Sequence, residues 1–341
     1  MISNSLLDVT DLSIDYVSKT GTVHALDSMS LSVEASEMIA IVGESGSGKT
    51  TFGLSIIKLL PMPPAKYTHG RVLYKGTDLV KLDQEQIRLF RGTEIAMIFQ
   101  EPMSSLNPTK KIHTQIEEAI SVREERVKVP GEPSKDHGTD DPERMKEVIS
   151  VLNKVRIADP EEVANRYPFE LSGGMRQRVM IAMSLAQKPS LLIADEPTTA
   201  LDVTTQAQVL KLMRNLMDEA KTSILLITHD LAVASQVADR IAVMYGGEVV
   251  EETNVLDLFS EPLHPYTQGL LSCVPTAPKE VSRLKPIRGN VPDLRLAIVG
   301  CKFASRCPFA MERCDKEKPK LISVKEKHRV ACHLYDKREQ Q

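Results

Sequence analysis

The octapeptide Gly43-Glu44-Ser45-Gly46-Ser47-Gly48-Lys49-Thr50 limits what this chain can fold into more than any other stretch does, because of its two flanks. Ahead of it run five apolar residues, Met38-Ile39-Ala40-Ile41-Val42, which read as a buried strand. Behind it, Thr51 to Leu60 places apolar residues at helical spacing until Pro61 stops the pattern. A glycine-rich turn between a buried strand and a helix aims backbone N–H groups at one point, at the positive end of that helix, and so forms a cradle for phosphate. Gly43, Gly46 and Gly48 allow the turn, and Ser45, Ser47 and Thr51 complete the cradle. Lys49 is then placed to neutralise β- and γ-phosphates, and Thr50 to offer a hydroxyl to Mg²⁺. The bland alternative is a plain glycine-rich turn.

The rest of the chain agrees with an α/β core. Leu12, Ile14, Tyr16, Val23, Leu31 and Val33 alternate as in an antiparallel β region. Short apolar runs at 95–99, 191–194, 224–227 and 241–244 are separated by helical segments, as in a mostly parallel sheet covered on both faces. Length allows about two domains. A net charge of −3, from 43 Lys plus Arg against 46 Asp plus Glu, excludes a bulk polycationic field for nucleic acid. No apolar run of about 18 residues predicts a membrane span, and the start, Met1 to Asp8, lacks the pattern of a signal peptide. A protein kept in the cytosol is expected. Residues 122 to 142, rich in charge with Pro130, Gly131, Pro133 and Gly138, read as a surface loop inside a helical insertion. From residue 257 onward lie eight of the twenty prolines, and four of the five cysteines fall between 301 and 332, so a second, smaller, loop-rich domain is expected there.

Two further motifs carry chemistry. Leu191-Leu192-Ile193-Ala194-Asp195-Glu196 ends a buried strand in two carboxylates, at the edge where α/β sheets place ligands. Asp195 suits Mg²⁺ and Glu196 suits a general base facing the attacking water. Leu171-Ser172-Gly173-Gly174-Met175 opens the helix Arg176 to Gln187 and makes a second anion-binding helix terminus.

Phosphate loop, Ser-Gly-Gly helix start and Asp-Glu strand end, in that order, resemble the ATP-binding cassette (ABC) ATPases, with Ser172, Gly173 and Gly174 matching the family signature. The resemblance implies a RecA-like parallel sheet core with an antiparallel β subdomain and a helical subdomain, the insertion spanning about 101–188. It also implies a dimer in which the signature of one subunit closes over MgATP held by the other. By the same resemblance Gln100 takes the Q-loop place and a share of Mg²⁺, Ala200-Leu201-Asp202 the D-loop with Asp202 at the nucleotide, His229 the switch histidine at the γ-phosphate, and Tyr16 the aromatic stacked on adenine. The family's signature commonly ends in Gln; here Met175 stands, and the phosphate contacts of Ser172 and the glycine amides are expected to survive the change. With every catalytic position filled, hydrolysis of MgATP is expected.

His264-Pro265-Tyr266-Thr267, Gly289-Asn290-Val291-Pro292-Asp293-Leu294 and the cysteines are similar to the C-terminal extension of ATPase subunits in bacterial dipeptide/oligopeptide importers, a branch that also serves nickel. The resemblance covers about residues 5 to 335, excepting the loop at 122 to 141, and divides the chain into an ATPase at 1–256 and an extension at 257–341. It implies a second ATPase as partner, two membrane permease subunits, an extracellular binding protein acting at a distance, and a place on the cytoplasmic face of the bacterial membrane. Gln100 and the segment Glu101 to Pro108 are expected near the permeases. The opposing reading is a non-transport ABC ATPase of DNA repair, ribosomes or iron–sulfur assembly. The 121 residues between Thr50 and Ser172 hold no heptads for the coiled coil of the DNA-repair type.

Cys301, Cys307, Cys314 and Cys332 are separated by five, six and seventeen residues, none the two-residue gap of a zinc ribbon. Four thiolates still suffice for a [4Fe–4S] cluster, which some members of the branch carry. Zinc, with His333 as a substitute ligand, is the runner-up, and unmetallated thiols come third. Cys273, in the apolar helix Gly269 to Val274, is expected to be a core thiol. From 301 to 341 eleven basic residues face six acidic ones, a local charge of +5 that suits an anionic cluster, anionic lipid or plain solvation.

Overall fold

In the computed structural model the described residues are 5–19, 21–100, 105–127, 142–198, 201–273, 287–296 and 298–336. The strands follow in chain order as β1 (Leu7–Ser18), β2 (Gly21–Val33), β3 (Met38–Val42), β4 (Ala65–Tyr74), β5 (Thr77–Asp78), β6 (Ile95–Ile98), β7 (Leu191–Asp195), β8 (Ser223–Thr228), β9 (Arg240–Tyr245), β10 (Glu248–Asn254), β11 (Ile322–Lys325) and β12 (His328–Val330). Two compact units form, one from residues 1–34, 38–81 and 226–341 and the other from 35–37 and 82–225.

In the first unit β1 pairs antiparallel with β2 (Leu7↔Val33, Ser18↔Gly21) and with β4 (Leu7↔Tyr74, Tyr16↔Ala65). Leu7, Val9, Leu12 and Ile14 are all buried, although a strict period of two would turn Leu12 and Ile14 away from the face of Leu7 and Val9. A register shift between Val9 and Leu12, with Asp11 at φ 50° and its N–H on Ser30 Oγ at 2.9 Å, restores the apolar face. The strands of the second sheet that lie wholly in this unit are ordered β11-β12-β10-β9-β3. β3 runs parallel to β9 (Ile39↔Arg240, Val42↔Val243), and all five β3 residues are buried, which is why that strand is unbroken in its apolar run.

The C-terminal third joins this sheet through β12, antiparallel to β10 (Glu251↔Val330). Its anchor is the Glu251 carboxylate, fully buried and fully used: it accepts from the N–H groups of Leu263 and His264 at 2.7 and 2.8 Å and meets His328 Nε2 at 2.8 Å. The helix Pro265–Ser272 follows, capped by His264, whose Nδ1 accepts from Tyr266 N–H at 3.0 Å. It buries Pro265, Tyr266 and Thr267. Cys273 sits at its C-cap and is exposed, which corrects the expectation of a core thiol: the buried face lies in the first turn and Cys273 lies past the last.

The second unit pairs β6 and β7 in parallel (Ile95↔Leu191, Ile98↔Ala194). Its helices Ile112–Val127 and Pro142–Lys154 are tied by Arg123–Glu147 and Arg144–Glu124 ion pairs at 2.9 and 2.7 Å. Val148, Val151 and Leu152 form the buried stripe of Pro142–Lys154. Most of the loop expected at 122 to 142 lies outside the described residues, as do residues 101–104 of the Glu101 to Pro108 segment.

Candidate functional site

The residues expected around a nucleotide fall in both units, and each unit builds its own set. In the first, the loop after β3 delivers Gly43 to Thr50 and the helix Lys49–Ile56 begins inside it. The helix stops earlier than Pro61 requires, because Lys58 takes φ 50° and the N–H groups of Lys58 and Leu59 turn back to Ser55 and Leu54 carbonyls at 3.2 and 2.9 Å. Gly48, at φ 97°, precedes the helix, and no side chain caps its first turn, so that turn keeps N–H groups directed outward. A Cβ on Gly48 would lie 2.6 Å from the Ala25 carbonyl oxygen, so the turn needs glycine there. Lys49 is 6% exposed and donates to the carbonyls of Gly43 at 2.8 Å and Glu44 at 3.0 Å. Ser47 is buried, while Ser45, Gly46 and Thr50 face solvent. Tyr16, on β1, brings its hydroxyl to 3.4 Å from Thr51 Oγ1, which places the expected adenine-stacking ring beside the first turn of this helix. His229 stands exposed directly after β8, and the next residue, Asp230, caps the helix Leu231–Ser235 by accepting from Ala232 and Val233 N–H at 2.8 and 3.1 Å.

In the second unit Asp195 ends β7 with 2% exposure. Glu196 follows at φ 44°, a left-handed conformation that a non-glycine residue adopts at a cost and that turns its carboxylate out of the strand. Gln100 Nε2 donates to Glu196 Oε2 at 3.1 Å. The sequence order assigned these two residues separately, and the structure brings them together. Ser172 caps the helix Gly173–Ala186 by accepting from Met175 N–H at 3.3 Å, and Ser172 and Gly173 are exposed. A Cβ on Gly174 would lie 2.9 Å from the Thr205 methyl. Asp202 caps the helix Val203–Ala220 through Thr205 N–H at 3.0 Å, and hydrogen bonds from Thr205 hold its carboxyl below the usual range. Ala200, the first residue of the expected D-loop, lies outside the described residues.

Sequence reasoning missed two residues, Tyr266 and Arg306, that hold the phosphate loop from behind. Glu44 N–H donates to the Tyr266 hydroxyl at 2.9 Å, and the Arg306 guanidinium forks onto the Glu44 carboxylate at 2.7 and 3.1 Å. No periodic pattern links residues 222 and 262 positions apart.

Cys301, Cys307, Cys314 and Cys332 do converge, lining one cavity with His264 and His333. Its volume is about 10 Å³, room for about one water molecule. Burial, and then the neighbouring thiols, push Cys301 up to about 12 and Cys332 up to about 11, and burial raises Cys307. His333 Nε2 donates to the Glu317 carbonyl at 2.8 Å, which leaves its lone pair on Nδ1. Among the described residues no group of three or more His, Cys, Asp or Glu is arranged to hold a metal ion. The four cysteines thus come together around one cavity, while the expected [4Fe–4S] cluster, with zinc as runner-up, gains no support from the geometry. No helix among the described residues is long and apolar enough to cross a membrane.

Comparison with known proteins agrees with the geometry. Residues 26–199 match the ABC transporter family and residues 250–314 match the oligopeptide/dipeptide transporter C-terminal region. The chain is 47% identical to a probable peptide ABC transporter ATP-binding protein of Sinorhizobium fredii, over 96% of this chain and 94% of that protein. It is 44% identical to the dipeptide transport ATP-binding protein DppD of Bacillus subtilis, over 98% and 96%. An ATP-binding cassette solved as a dimer in a post-hydrolysis state, bound to ADP and phosphate, superposes with a TM-score of 0.62 at 29% identity, covering 73% of this chain and 98% of that one. The chain is thus an ATPase of the ABC transporter family, in the branch that carries the oligopeptide/dipeptide transporter C-terminal region.

Proposed function

We propose that the chain is the ATP-hydrolysing subunit of an importer for di- or oligopeptides, docked on separate permease subunits at the cytoplasmic face of a bacterial membrane and paired with a second ATPase. The match of residues 250–314 to the peptide-transporter C-terminal region carries this reading, and it favours transport over the non-transport ABC ATPases. We read residues 1–256 as the ATPase and 257–341 as the extension.

The chemistry rests on the residues placed above. The phosphate loop from Gly43 to Thr51 holds the triphosphate through backbone N–H groups, and Lys49 moves from loop carbonyls to phosphate oxygens. Mg²⁺, when bound with ATP, offsets charge on the β- and γ-phosphates; Thr50, Asp195 and Gln100 are its expected ligands, an all-oxygen set suited to that ion. Glu196 takes a proton from the attacking water, and the Gln100 amide, at 3.1 Å, orients the carboxylate that does so. His229 reports on the γ-phosphate. Tyr16 stacks on adenine. Ser172, Gly173, Gly174 and Asp202 serve the nucleotide of the partner subunit, and the exposure of Ser172, Gly173 and Asp202 supports that role.

The finer expectation, a [4Fe–4S] cluster or zinc on the four cysteines, receives no step in this scheme. Iron, acid-labile sulfide and zinc per chain on anaerobically purified protein test it: none supports the thiol reading, and near-stoichiometric iron with sulfide overturns it. The importer reading is tested in vesicles carrying the permease subunits and a peptide-loaded binding protein. Uptake of a labelled peptide that requires ATP and is lost in Lys49→Ala is the expected result. Uptake unaffected by Lys49→Ala overturns it.

A further inference from the structure

The phosphate loop carries one carboxylate, Glu44, in a place built to receive anions. Such a residue opposes triphosphate binding unless its charge is met. All three of its polar groups are engaged. Its N–H donates to Tyr266 Oη at 2.9 Å, its carboxylate receives the two terminal nitrogens of Arg306 at 2.7 and 3.1 Å, and its carbonyl accepts from Lys49 Nζ at 3.0 Å and from Ser47 N–H at 3.2 Å. The first two partners come from the C-terminal third of the chain, and the last two belong to the loop itself.

Both external partners are rigidly mounted. Tyr266 is fully buried and packs on Tyr245 and Phe303 with ring centroids 4.6 and 5.4 Å apart. The Arg306 side chain is 5% exposed, lies over the Tyr245 and Phe303 rings at 5.7 and 5.9 Å, and donates further to Tyr245 Oη at 3.2 Å and the Arg288 carbonyl at 3.0 Å. A guanidinium fixed in this way presents a two-pronged fork in one orientation.

We propose that Arg306 and Tyr266 are positioning residues for ATP: by gripping Glu44 at its carboxylate and its N–H they cancel the loop's own negative charge and hold the carbonyl that aims Lys49. The extension is thereby part of the nucleotide site of its own chain. The inference rests on the phosphate-loop reading above and adds to it two residues outside the loop.

The test is MgATP titration calorimetry on the full chain, with steady-state KM and kcat beside it. Arg306→Ala is expected to weaken ATP binding and raise KM by about tenfold, about 1.4 kcal/mol, with a much smaller change in kcat. Arg306→Lys should recover part of the loss. Glu44→Gln placed in the Arg306→Ala background should recover most of it, because the unmet charge is then gone. A purely packing role for Arg306 predicts no such rescue, and a double variant as weak as Arg306→Ala overturns the proposal. Should Arg306→Ala not fold, Tyr266→Phe removes one hydroxyl from an otherwise unchanged pedestal. An ATP affinity weaker by about threefold, about 0.65 kcal/mol, is expected there, and wild-type affinity in that variant overturns the proposal. Lys49→Ala separates the two levels: retained ATP binding there overturns the phosphate-loop reading itself, whereas its loss beside an unaffected Arg306→Ala overturns this inference alone.

Discussion

His264 ties the acid sensitivity of the fold to one buried ring. The imidazole is 1% exposed, and burial lowers it from its ordinary value to about 3, so it is neutral in the folded chain with Nδ1 accepting the Tyr266 N–H. In the unfolded chain it titrates near 6.5. Above that pH both states carry a neutral ring and no stability depends on it. Below it the unfolded state binds a proton that the folded state refuses, so stability falls as pH falls from about 6.5 toward 3. One proton costs about 1.4 kcal/mol per pH unit, so acidification from pH 7 to pH 5 should remove about 2 kcal/mol through this residue. Urea unfolding at both pH values measures the loss, and His264→Asn supplies the control, since an Asn side chain can cap Tyr266 N–H and does not titrate. Wild type should lose about 2 kcal/mol more than His264→Asn between the two pH values. Equal losses in the two proteins would mean that His264 does not carry this pH dependence, whatever the absolute stabilities.

Three other outcomes are expected. Gly48→Ala forces a side chain onto φ 97° and against the Ala25 carbonyl, and should cost about 1–3 kcal/mol in urea unfolding together with measurable ATP affinity. Ser172→Ala removes a helix cap and should cost about 1 kcal/mol, while Ser172→Asn keeps the cap; if the Ser172 hydroxyl serves the partner's nucleotide, both variants hydrolyse ATP slowly at saturating protein, and normal turnover in Ser172→Asn would contradict that role. In native protein at pH 8 the aromatic disulfide DTNB should modify Cys273 rapidly and the four cavity cysteines slowly, because Cys273 is exposed while burial raises Cys301, Cys307 and Cys332; fast reaction of two or more thiols would contradict the packing.

Local chemistry was legible in the sequence where a short pattern determines the backbone. An apolar run ending in glycines, a run ending in Asp195-Glu196, and Ser172 ahead of a helix each specify an element end, and the structure places them there. Legibility ended where partners are distant or where a backbone reversal overrides a breaker. Lys58 in the left-handed conformation closes the helix before Pro61 can act. β12 joins β10, and His328 meets Glu251 77 positions away, with no periodicity to announce it. The cysteine spacing said that four thiols were available, yet the size of the cavity they enclose depends on Phe303, Met311 and His264 around them. Glu44 received no role from the phosphate-loop pattern, and only the fold shows Arg306 and Tyr266 closing on it.

The proposed function assigns the proton abstraction of hydrolysis to Glu196 and the binding of ATP to Lys49 and its loop. Steady-state phosphate release by Glu196→Gln, with MgATP binding measured on the same sample, tests it most directly. ATP binding at wild-type affinity or tighter is expected, with turnover reduced by about 10²-fold or more. Turnover close to wild type in that variant would contradict it.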